Sequence, residues 1–569
     1  MMRHTSLHGR YKEGLENIYG RSRTMNIAKW KLTLAGMLAF SLVASACSGG
    51  GTDAGTEPAG GTEPAAPQET PTASESEPAE PEMERLELKW FFPAAADAVL
   101  PEGEADFIGK AIEEKFNVDL VIENAPSGPD YDNKLNLLIA SGDAPDMFIS
   151  SGANSQKYIL DGVTADLTPY VTPAKMPNYF KWISEVELQR YSVEGKFERS
   201  PLIFPRSVYR SYYIRKDWLD NLGLSMPTNY EETMEVIRAF TFNDPDQNGK
   251  NDTYGLTAVG NGTSLSYDFP HWIQNDLVGA FMIRDNKLVD VQSDLNVQHV
   301  IQGIKDMMAE GTVDPDWFLL KGTEHVDKAA GGKAGIIVGG NKTFAFDSDP
   351  VSIQNKSKAL NPNANWLPFH PFAETGTWTH NLPEAPFMFA KTTAEESPAK
   401  LERMAQIIDW MSSEEGFLLI NYGIEGKHYT RSGNTITVSQ AHLDALQKDV
   451  VEQGNFQLVY RFLYSNNPEP EVLGLEIIDE RMTDRDRDIV ATIQSYKLLP
   501  SIGTNVAPPP GFNLADFRKK MRELQVQVLF DEPDASNWPK YHEQLMTEYG
   551  GQAMLDTYTE QIKAAGVIQ

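Results

Sequence analysis

The sequence predicts an α/β fold, because hydrophobic patterns of strand type and helix type alternate along the chain. From Leu86 to Ile149 the patterns follow the order strand, helix, strand, helix, strand. This order is typical of helices packed on a parallel sheet. A hydrophobic share of 41% and an aromatic share of 10% belong to a globular protein. No unit of roughly 20 to 50 residues repeats, which excludes a solenoid.

The first elements can each be justified from the residues. The first strand is LELKWFF, which starts at Leu86 and is expected to end at Pro93. The first helix is FIGKAIEEKFNV, with apolar residues at helical spacing, and the second strand is VDLVIENAP. A second helix, a Gly-Asp-Ala-Pro turn and a third strand follow in YDNKLNLLIASGDAPDMFI. Later, a helix is expected in TNYEETMEVIRAF, and strands in YGLTAV and AGIIVGG.

The N-terminal region predicts a lipoprotein signal. Cys47 is the only cysteine, and it closes the apolar run LTLAGMLAFSLVASA, which follows Lys29 and Lys31. A charged start, a short apolar stretch and small residues before a cleavage site are typical of a secretory signal. We therefore predict a signal peptide over residues 1–46, with Met25 as an alternative initiator, and a lipid on the Cys47 thiol. The alternative is a single transmembrane anchor, but the run is shorter than the ~20 residues that a spanning helix needs.

Residues 47–83 are predicted to hold the lipidated cysteine and a disordered acidic linker. Residues 48–82 contain no aromatic residue, no Leu, Ile or Val, and no Lys or Arg. Such a segment cannot bury enough apolar surface to offset the entropy of ordering, so we expect a tether. The formal net charge of −30 argues against a nucleic-acid partner, whose phosphates would repel this chain. One cysteine also excludes an intramolecular disulfide.

Several long segments, in order, carry a resemblance to a known family. They are KLNLLIASGDAPDMF, residues 207–257 with YIRKDWLDNLGLSMPTNYEETM, GGKAGIIVGGNKT, and residues 385–429 with AQIIDWMSSEEGFLLINYGIEGKHY. The C-terminal segment LADFRKKMRELQVQVLFDEPDASNWPKYHEQL continues the match. From about Leu86 to its end, the chain resembles the extracellular solute-binding proteins (family 1, sugar type) of ABC importers, specifically their large lipoprotein branch.

The resemblance implies a two-lobed fold of the type II periplasmic-binding-protein kind, with a ligand cleft between the lobes. Lobe 1 would hold residues 84–208 and return at 384–435, and lobe 2 would hold residues 209–383. A C-terminal helical region, residues 436–569, would pack on both lobes. Ligands of open α/β sheets bind at the carboxyl ends of strands, so two facing lobes form one site.

The function that the resemblance implies is capture of a carbohydrate, an oligosaccharide by preference, outside the cell. A monomer anchored by its lipid to the extracytoplasmic face of the cell membrane would deliver the ligand to the permease subunits of an ABC transporter. One alternative is a sensor lipoprotein that presents the ligand to a membrane kinase. Another is a tethered polysaccharide-acting enzyme, although the sequence has no nucleophile elbow, zinc helix, phosphate loop or dinucleotide fingerprint. Peptides and other small molecules remain open as ligands.

The loop NDPDQNGKNDTYG has the spacing of a calcium-binding loop. Oxygen ligands at alternate positions, with Gly249 at the sixth, follow the pattern of an EF-hand loop. The loop departs from that pattern at its twelfth position, which is Gly255 instead of Glu. The alternative is a polar turn rich in Asp and Asn. The predicted ligands of a structural Ca²⁺ are Asp244, Asp246, Asn248, the Lys250 carbonyl and Asp252.

Candidate ligand contacts lie in loops after predicted strands. A sugar site needs aromatic platforms together with polar side chains in one pocket. For each aromatic residue the alternative is core packing, which we expect for Trp218 and Trp410 on their helices. Arg206 and Arg210 flank the first expected crossover, where solvated hinge charges are the alternative. The candidates are Trp272, Trp378, Tyr267, His271, Asn154 and Asn341.

Overall fold

A computed structural model of the chain describes most residues after the linker. The described residues are 84–94, 101–150, 152–203, 210–378, 385–451, 469–499, 502 and 506–568. All of them belong to one compact unit, residues 80–569. The predicted signal peptide, Cys47 and the linker up to residue 83 lie outside the described residues. Among the described helices, none is long and apolar enough to cross a membrane.

Strands and helices alternate through the described part of the chain. The strands are β1 (Leu86–Ala94), β2 (Val118–Pro126), β3 (Met147–Ile149), β4 (Ser211–Arg215), β5 (Tyr254–Leu256), β6 (Phe281–Arg284), β7 (Lys287–Asp290), β8 (Ala334–Gly339), β9 (Trp366–Phe369), β10 (Thr377–Trp378), β11 (Phe387–Phe389), β12 (Thr430–Ser432), β13 (Thr435–Val438), β14 (Glu476–Asp479) and β15 (Leu498–Leu499). The helices are α1 (Phe107–Phe116), α2 (Pro129–Ser141), α3 (Gly152–Leu160), α4 (Glu185–Leu188), α5 (Lys216–Leu222), α6 (Tyr230–Phe242), α7 (His271–Gln274), α8 (Val297–Glu310), α9 (Glu324–Ala330), α10 (Ile353–Lys358), α11 (Lys391–Glu396), α12 (Pro398–Met411), α13 (Glu414–Tyr422), α14 (Gln440–Leu446), α15 (Asp484–Gln494), α16 (Leu514–Phe530), α17 (Trp538–Thr547) and α18 (Gly551–Ala564).

The first sheet has the predicted parallel core. Its strand order is β11-β3-β1-β2, with β1 parallel to β2 and β3, and β11 antiparallel to β3. Alternate residues Leu88, Trp90 and Phe92 are buried in one core cluster with α1. The strand does not end at Pro93 as expected, because β1 continues to Ala94. Beyond Phe91 it pairs only with β2, and a strand with one neighbour tolerates a residue without an N–H.

The second sheet is mixed. Its order is β5-β8-β4-β9, with β5 parallel to β8 and with β4 antiparallel to both β8 and β9. Trp218 is fully buried and meets Phe240 edge to face, with ring centroids 5.3 Å apart. Gly335 of β8 is required there, since an added Cβ would lie 2.2 Å from the Phe240 ring. The expected core positions of Trp218 and Trp410 are confirmed, because both side chains are buried.

The chain goes from the first sheet to the second before β4, and it returns to the first sheet at β11. In the first sheet, Ser200 bridges to Phe387 at the start of β11. In the second, β4 begins at Ser211, directly after an undescribed segment, and β9 ends at Phe369. The short strands β10 and β15 then run parallel to each other outside both sheets. We call the end of the second sheet where β4 begins and β9 ends the crossing edge.

The C-terminal helices are attached to the β6–β7 hairpin and to α8. Arg518 of α16 binds Asp290 of β7 through two contacts, of 2.5 and 2.9 Å. Lys305 of α8 donates to the carbonyls of Val528, Leu529 and Glu532, and so satisfies the carboxyl end of α16. These contacts hold the helices against the part of the chain that carries the second sheet.

Candidate functional site

A group of polar side chains lies at the crossing edge. Ser211 starts β4 next to the Tyr212–Phe369 register pair, so it lies beside His370, which directly follows β9. The His370 ring meets the Tyr496 ring with centroids 4.8 Å apart. Together these residues join three separate parts of the chain in one place. We call the polar residues around this edge the polar wall, and it consists of two sets that no hydrogen bond or ion pair joins among the described residues. One set is Ser211, His370 and Tyr496, and the other is Arg210, Asp268 and His325.

The charged pair of the wall is Arg210 with Asp268. The Arg210 guanidinium contacts Asp268 Oδ1, and the Asp268 side chain is fully buried. Asp268 Oδ2 also accepts from the Val259 N–H at 3.3 Å. An unpaired carboxylate at this depth would be strongly destabilising, so Arg210 is committed to its partner. Arg210 is therefore not the solvated hinge charge that the sequence left open, whereas Arg206 lies outside the described residues.

Four polar atoms of the wall are buried without a hydrogen-bond partner in the described structure. They belong to residues of β4, α9, the loop after β9 and the segment after α15. A buried polar atom without a partner costs about 1–3 kcal/mol, so a group of them indicates a missing partner such as a ligand or water. The atoms are Ser211 Oγ, His325 Nδ1, His370 Nε2 and Tyr496 Oη.

The protonation of His370 follows from its contacts. Its Nδ1 accepts a hydrogen bond from the Phe372 N–H at 3.0 Å. Burial lowers the pKa of His370 to about 4, so the ring is neutral at neutral pH. A neutral imidazole with an accepting Nδ1 carries its proton on Nε2. The unpartnered Nε2 is therefore a hydrogen-bond donor.

His325 and Tyr496 are also neutral at neutral pH. Burial lowers the pKa of His325, against the opposing effect of the Asp268 carboxylate. Burial raises the pKa of the Tyr496 hydroxyl, while the nearby Ser211 side chain lowers that pKa to a smaller extent. Ser211 Oγ thus lies near Tyr496, although the two hydroxyls do not meet hydrogen-bond geometry. Apart from the Arg210–Asp268 pair, the wall is uncharged.

Three of the predicted aromatic contacts form a closed group instead of a platform. Trp272 is 2% exposed and donates its indole N–H to the Ser266 carbonyl at 2.9 Å. Its ring packs on Tyr267 with centroids 4.7 Å apart. His271 is 3% exposed, and its ring lies where a Cβ on Gly303 would approach within 2.0 Å. We call Tyr267, His271 and Trp272 the buried aromatic group. The interior covers these rings in this structure, and the ligand-contact roles of the three residues stay predictions.

The remaining predicted contacts have different surroundings. Asn341 is exposed and lies two residues after the end of β8. The last residue of β8, Gly339, pairs in register with Ser211, so Asn341 lies near Ser211. Its carbonyl accepts from the Tyr213 hydroxyl at 2.9 Å. Asn154 is partly exposed on α3. Trp378 lies on β10, but its side chain is outside the described part of the structure. The ligand-contact roles of these three residues stay predictions.

The sequence analysis singled out Arg210 but none of the other residues of the polar wall. Single Ser, His and Tyr residues are common in any sequence, and the wall unites them from distant positions. A signal did exist in the topology for Ser211, which lies next to the first expected crossover at residues 208 and 209.

A cavity of about 560 Å³ lies between α18 and residues 190–199. The cavity is lined by Arg190 and Glu194 on one side and by Asp556 and Glu560 on the other. None of the sequence-predicted ligand contacts lines this cavity.

The predicted calcium loop lies between α6 and β5. Asp244 accepts from the N–H groups of Asn248 and Gly249 at 3.0 and 2.9 Å. The Asn248 amide donates to both Asp246 and Asp252, at 2.9 and 3.0 Å. Lys333 pairs with the second oxygen of Asp252 at 2.9 Å. The loop is thus held by internal hydrogen bonds.

One atom of this loop fits a cation. Asp246 Oδ1 is buried without a hydrogen-bond partner among the described residues. Burial and the neighbouring Asp244 carboxyl raise the pKa of Asp246, as expected where carboxylates are close together. However, no set of three or more His, Cys, Asp or Glu side chains in the described structure is arranged to hold a metal ion. The predicted ligands are therefore adjacent but not preassembled.

Curated proteins resemble this chain over much of its length. The lipoprotein LipO of Bacillus subtilis is 26% identical over 338 residues, which are 58% of this chain and 65% of LipO. The polygalacturonan/rhamnogalacturonan-binding protein YtcQ of the same organism is 25% identical over 402 residues, covering 67% of this chain and 75% of YtcQ. The chain thus spans slightly less than two thirds of the length of LipO.

Solved structures share the fold. An HMO-binding, ABC-transporter-associated solute-binding protein of Bifidobacterium longum infantis superposes with a TM-score of 0.63 at 19% identity, covering 84% of this chain and 99% of that one. The Streptococcus pneumoniae substrate-binding protein FusA, as an EF-hand mutant with fructo-nystose, gives 0.54 at 18% identity, covering 84% and 99%. The α/β fold of two-lobed solute-binding proteins is therefore confirmed. Residues 97–416, more than half of the chain, match the model of a family of binding proteins, and the chain belongs to the bacterial extracellular solute-binding proteins.

Proposed function

We propose that this protein captures a carbohydrate outside the cell and delivers it to the permease of an ABC importer. The observation that carries the proposal is the polar wall, whose unpartnered atoms gather around the start of β4 and the end of β9. Relatives described as binding polygalacturonan, rhamnogalacturonan or fructo-nystose support a carbohydrate as the ligand class.

The wall suits hydroxyl groups. A sugar hydroxyl both donates and accepts, and Ser211 and Tyr496 do the same, while His370 Nε2 donates. These atoms are shielded from solvent in this structure, as is expected of groups that pair with an enclosed ligand. Opening and closing of the two lobes would admit the ligand.

A thermal-shift screen against plant, algal and host oligosaccharides tests the proposal. A ligand present at 100 times its Kd should add about 2.7 kcal/mol to the free energy of unfolding. Titration calorimetry should then confirm a single site. If no carbohydrate raises the melting temperature while a peptide library does, carbohydrate capture is the wrong function.

Import can be separated from sensing and from catalysis in the same strain. Deletion of the gene should abolish uptake of the identified sugar, whereas a sensor would change transcription and leave uptake intact. Incubation of the purified protein with that sugar should leave the sugar uncleaved. Release of shorter products would instead support the tethered enzyme.

We also propose that Cys47 anchors the mature chain to the extracytoplasmic face of the cell membrane through residues 47–83. The support is the apolar run ending in ASAC, followed by a polar tract. Cys47→Ser should release the protein into the soluble fraction, with Ser48→Ala as the matched control that stays membrane-bound. A Cys47→Ser chain that still sediments with membranes would contradict the lipid anchor.

We further propose that the loop between α6 and β5 binds a structural Ca²⁺. Its ligands would be the five that the sequence predicts, namely Asp244, Asp246, Asn248, the Lys250 carbonyl and Asp252. Asp246 Oδ1 lacks a partner, and Asn248 lies between Asp246 and Asp252. Rotation of the Asn248 amide would turn its oxygen toward both carboxylates, which is the donor set that Ca²⁺ prefers. The ion would fix the junction between α6 and β5 and take no part in ligand chemistry.

A further inference from the structure

We infer that the C-terminal helix α18 takes part in ligand capture, because it forms one side of a cavity that suits a sugar unit. The other side is formed by residues 190–199, and the cavity has a volume of about 560 Å³. This volume is typical of small-molecule sites. We call it the C-terminal cavity. The inference rests on the proposed function, but no residue of the polar wall lines this cavity, so it does not depend on the wall.

One side of the C-terminal cavity belongs to the part of the chain that carries the first sheet. Tyr191 and Val193 are buried in the core clusters of that sheet, so the segment 190–199 is fixed to it. Gln156, which also lines the cavity, lies on α3, directly after β3. Because β3 runs parallel to β1, this place is the carboxyl end of the parallel strands. Ligands of open α/β sheets bind at that end.

The other side belongs to the part of the chain that carries the second sheet. Helix α18 packs on the β6–β7 hairpin, where the Tyr558 and Phe281 rings meet edge to face with centroids 5.7 Å apart. After α8, Val313 bridges to Leu256 of β5 and so connects this part to the second sheet. A ligand in the C-terminal cavity would therefore contact both parts of the chain at once.

Two arginines hold the first side of the cavity in shape. Arg199 donates to the Tyr191 carbonyl at 2.8 Å and to the Ser155 hydroxyl at 2.6 Å, which joins the segment 190–199 to α3. Arg190 donates to the Ile502 carbonyl at 3.2 Å. These cations are thus engaged by the protein, and they give the site a defined frame.

The polar side chains that face each other across the cavity are available to a ligand. Gln156 is partly exposed and Glu560 is exposed, and neither side chain has a hydrogen bond or an ion pair among the described residues. A carboxylate only accepts hydrogen bonds, whereas an amide both donates and accepts. The pair therefore suits a ligand with several hydroxyl groups. Apolar side chains that can cover the C–H face of a sugar ring complete the lining, namely Val193, Ile502, Val506 and Val567.

Calorimetry with the full chain tests the inference. The probes are maltotriose, cellotriose, mannotriose, nystose and galacturonotriose, and the one that binds wild type most tightly serves for all variants. Glu560→Ala should weaken its binding by about tenfold, the expected effect of losing a hydrogen bond to a charged group. The melting temperature of the free protein should not change, because the side chain is exposed. Glu543→Ala on α17 is the matched control and should keep full affinity, since Glu543 is exposed outside the cavity.

A second variant blocks the cavity. Ala564 lies at the end of α18, is exposed and lines the cavity, so Ala564→Trp should abolish binding of the same probe without lowering the melting temperature. Ala309→Trp on the exposed face of α8 is the control for added bulk and should bind normally. Full affinity in Ala564→Trp would overturn the inference and leave carbohydrate capture standing. Absence of binding of every probe by wild type would overturn carbohydrate capture and the inference with it.

Discussion

The polar wall and the buried aromatic group both contain buried polar atoms without a partner, but they differ in how the chain brings their side chains together. The aromatic group comes from one short segment, where Ser266 satisfies the Trp272 N–H and the described structure offers no hydrogen-bond partner to Tyr267 Oη or His271 Nδ1. In the wall, polar side chains from separate segments converge, and Ser211, His325, His370 and Tyr496 each leave an atom without a partner. The comparison shows that a large aromatic residue in a polar loop does not by itself mark a binding surface. Convergence of unpaired atoms from separate segments of the chain is the stronger indication.

The largest effect should come from Trp272→Ala. Because the indole is buried and hydrogen-bonded, its loss should lower the free energy of unfolding by about 3–5 kcal/mol. Binding at low temperature should persist in the molecules that remain folded. Thermal melts read by circular dichroism check this, with Phe242→Ala as the control, since Phe242 is 46% exposed.

The opposite result would restore the role that the sequence suggested for Trp272. An unchanged melting temperature with lost ligand binding would place the indole against the sugar. The comparison between the two regions would then fail.

The calcium loop contains a third kind of unpaired atom, the Asp246 Oδ1, which lies among other carboxylates. Saturating Ca²⁺, at about 100 times its Kd, should add about 2.7 kcal/mol to the free energy of unfolding. Asp246→Ala should remove the gain, because Asp246 supplies the unpartnered Oδ1. Melting curves with Ca²⁺ and with a chelator measure the effect, and Glu114→Ala on α1 is the control. Identical curves under both conditions would exclude a structural ion.

Ser211→Ala should separate affinity from stability. The change removes a buried hydroxyl that has no partner, so folding should be unaffected or slightly stabilised. Affinity for the sugar should fall by about 1 kcal/mol, the net value of one hydrogen bond. Thr547→Val on α17 is a suitable control, since its hydroxyl already donates to the Glu543 carbonyl at 2.8 Å. A lower melting temperature with unchanged affinity would return Ser211 to a purely structural role.

Much of the fold was predictable because it depends on local patterns. The β1–α1–β2–α2–β3 order and its parallel pairing follow from periodicity, and Asn229 caps α6 at the start of the predicted helix. The mixed direction of the second sheet was not predictable. There, β4 pairs with strands more than 100 residues further along the chain, and such pairing leaves no local signal.

The candidate site was less predictable, for a related reason. Aromatic residues attract attention by type, but their exposure is decided by neighbours such as Ser266 and Gly303, which sequence spacing does not reveal. The roles of Ser211, His370 and Tyr496 arise only when β4, β9 and the segment after α15 meet. The lobe boundaries expected at 84–208, 209–383 and 384–435 stay predictions.

The smallest effect is a pH dependence that distinguishes His370 from an ordinary surface histidine. Burial lowers the pKa of His370 from its ordinary value of about 6.5 to about 4 in the folded state. Between these values the unfolded chain binds a proton that the folded protein does not, so stability is full above pH 6.5 and falls as the pH drops toward 4. His271, whose pKa burial also lowers to about 4, adds to the same slope.

His370→Gln should therefore reduce, but not abolish, the loss of melting temperature between pH 6.5 and 4. His299→Gln on the exposed face of α8 is the matched control and should leave the slope unchanged. Glutamine keeps a neutral donor, so affinity for a neutral sugar at pH 7 should be largely retained, whereas His370→Ala should lose it. If His370→Gln and wild type have the same slope, His370 is accessible to protons in the folded state. The wall would then gain positive charge in mild acid.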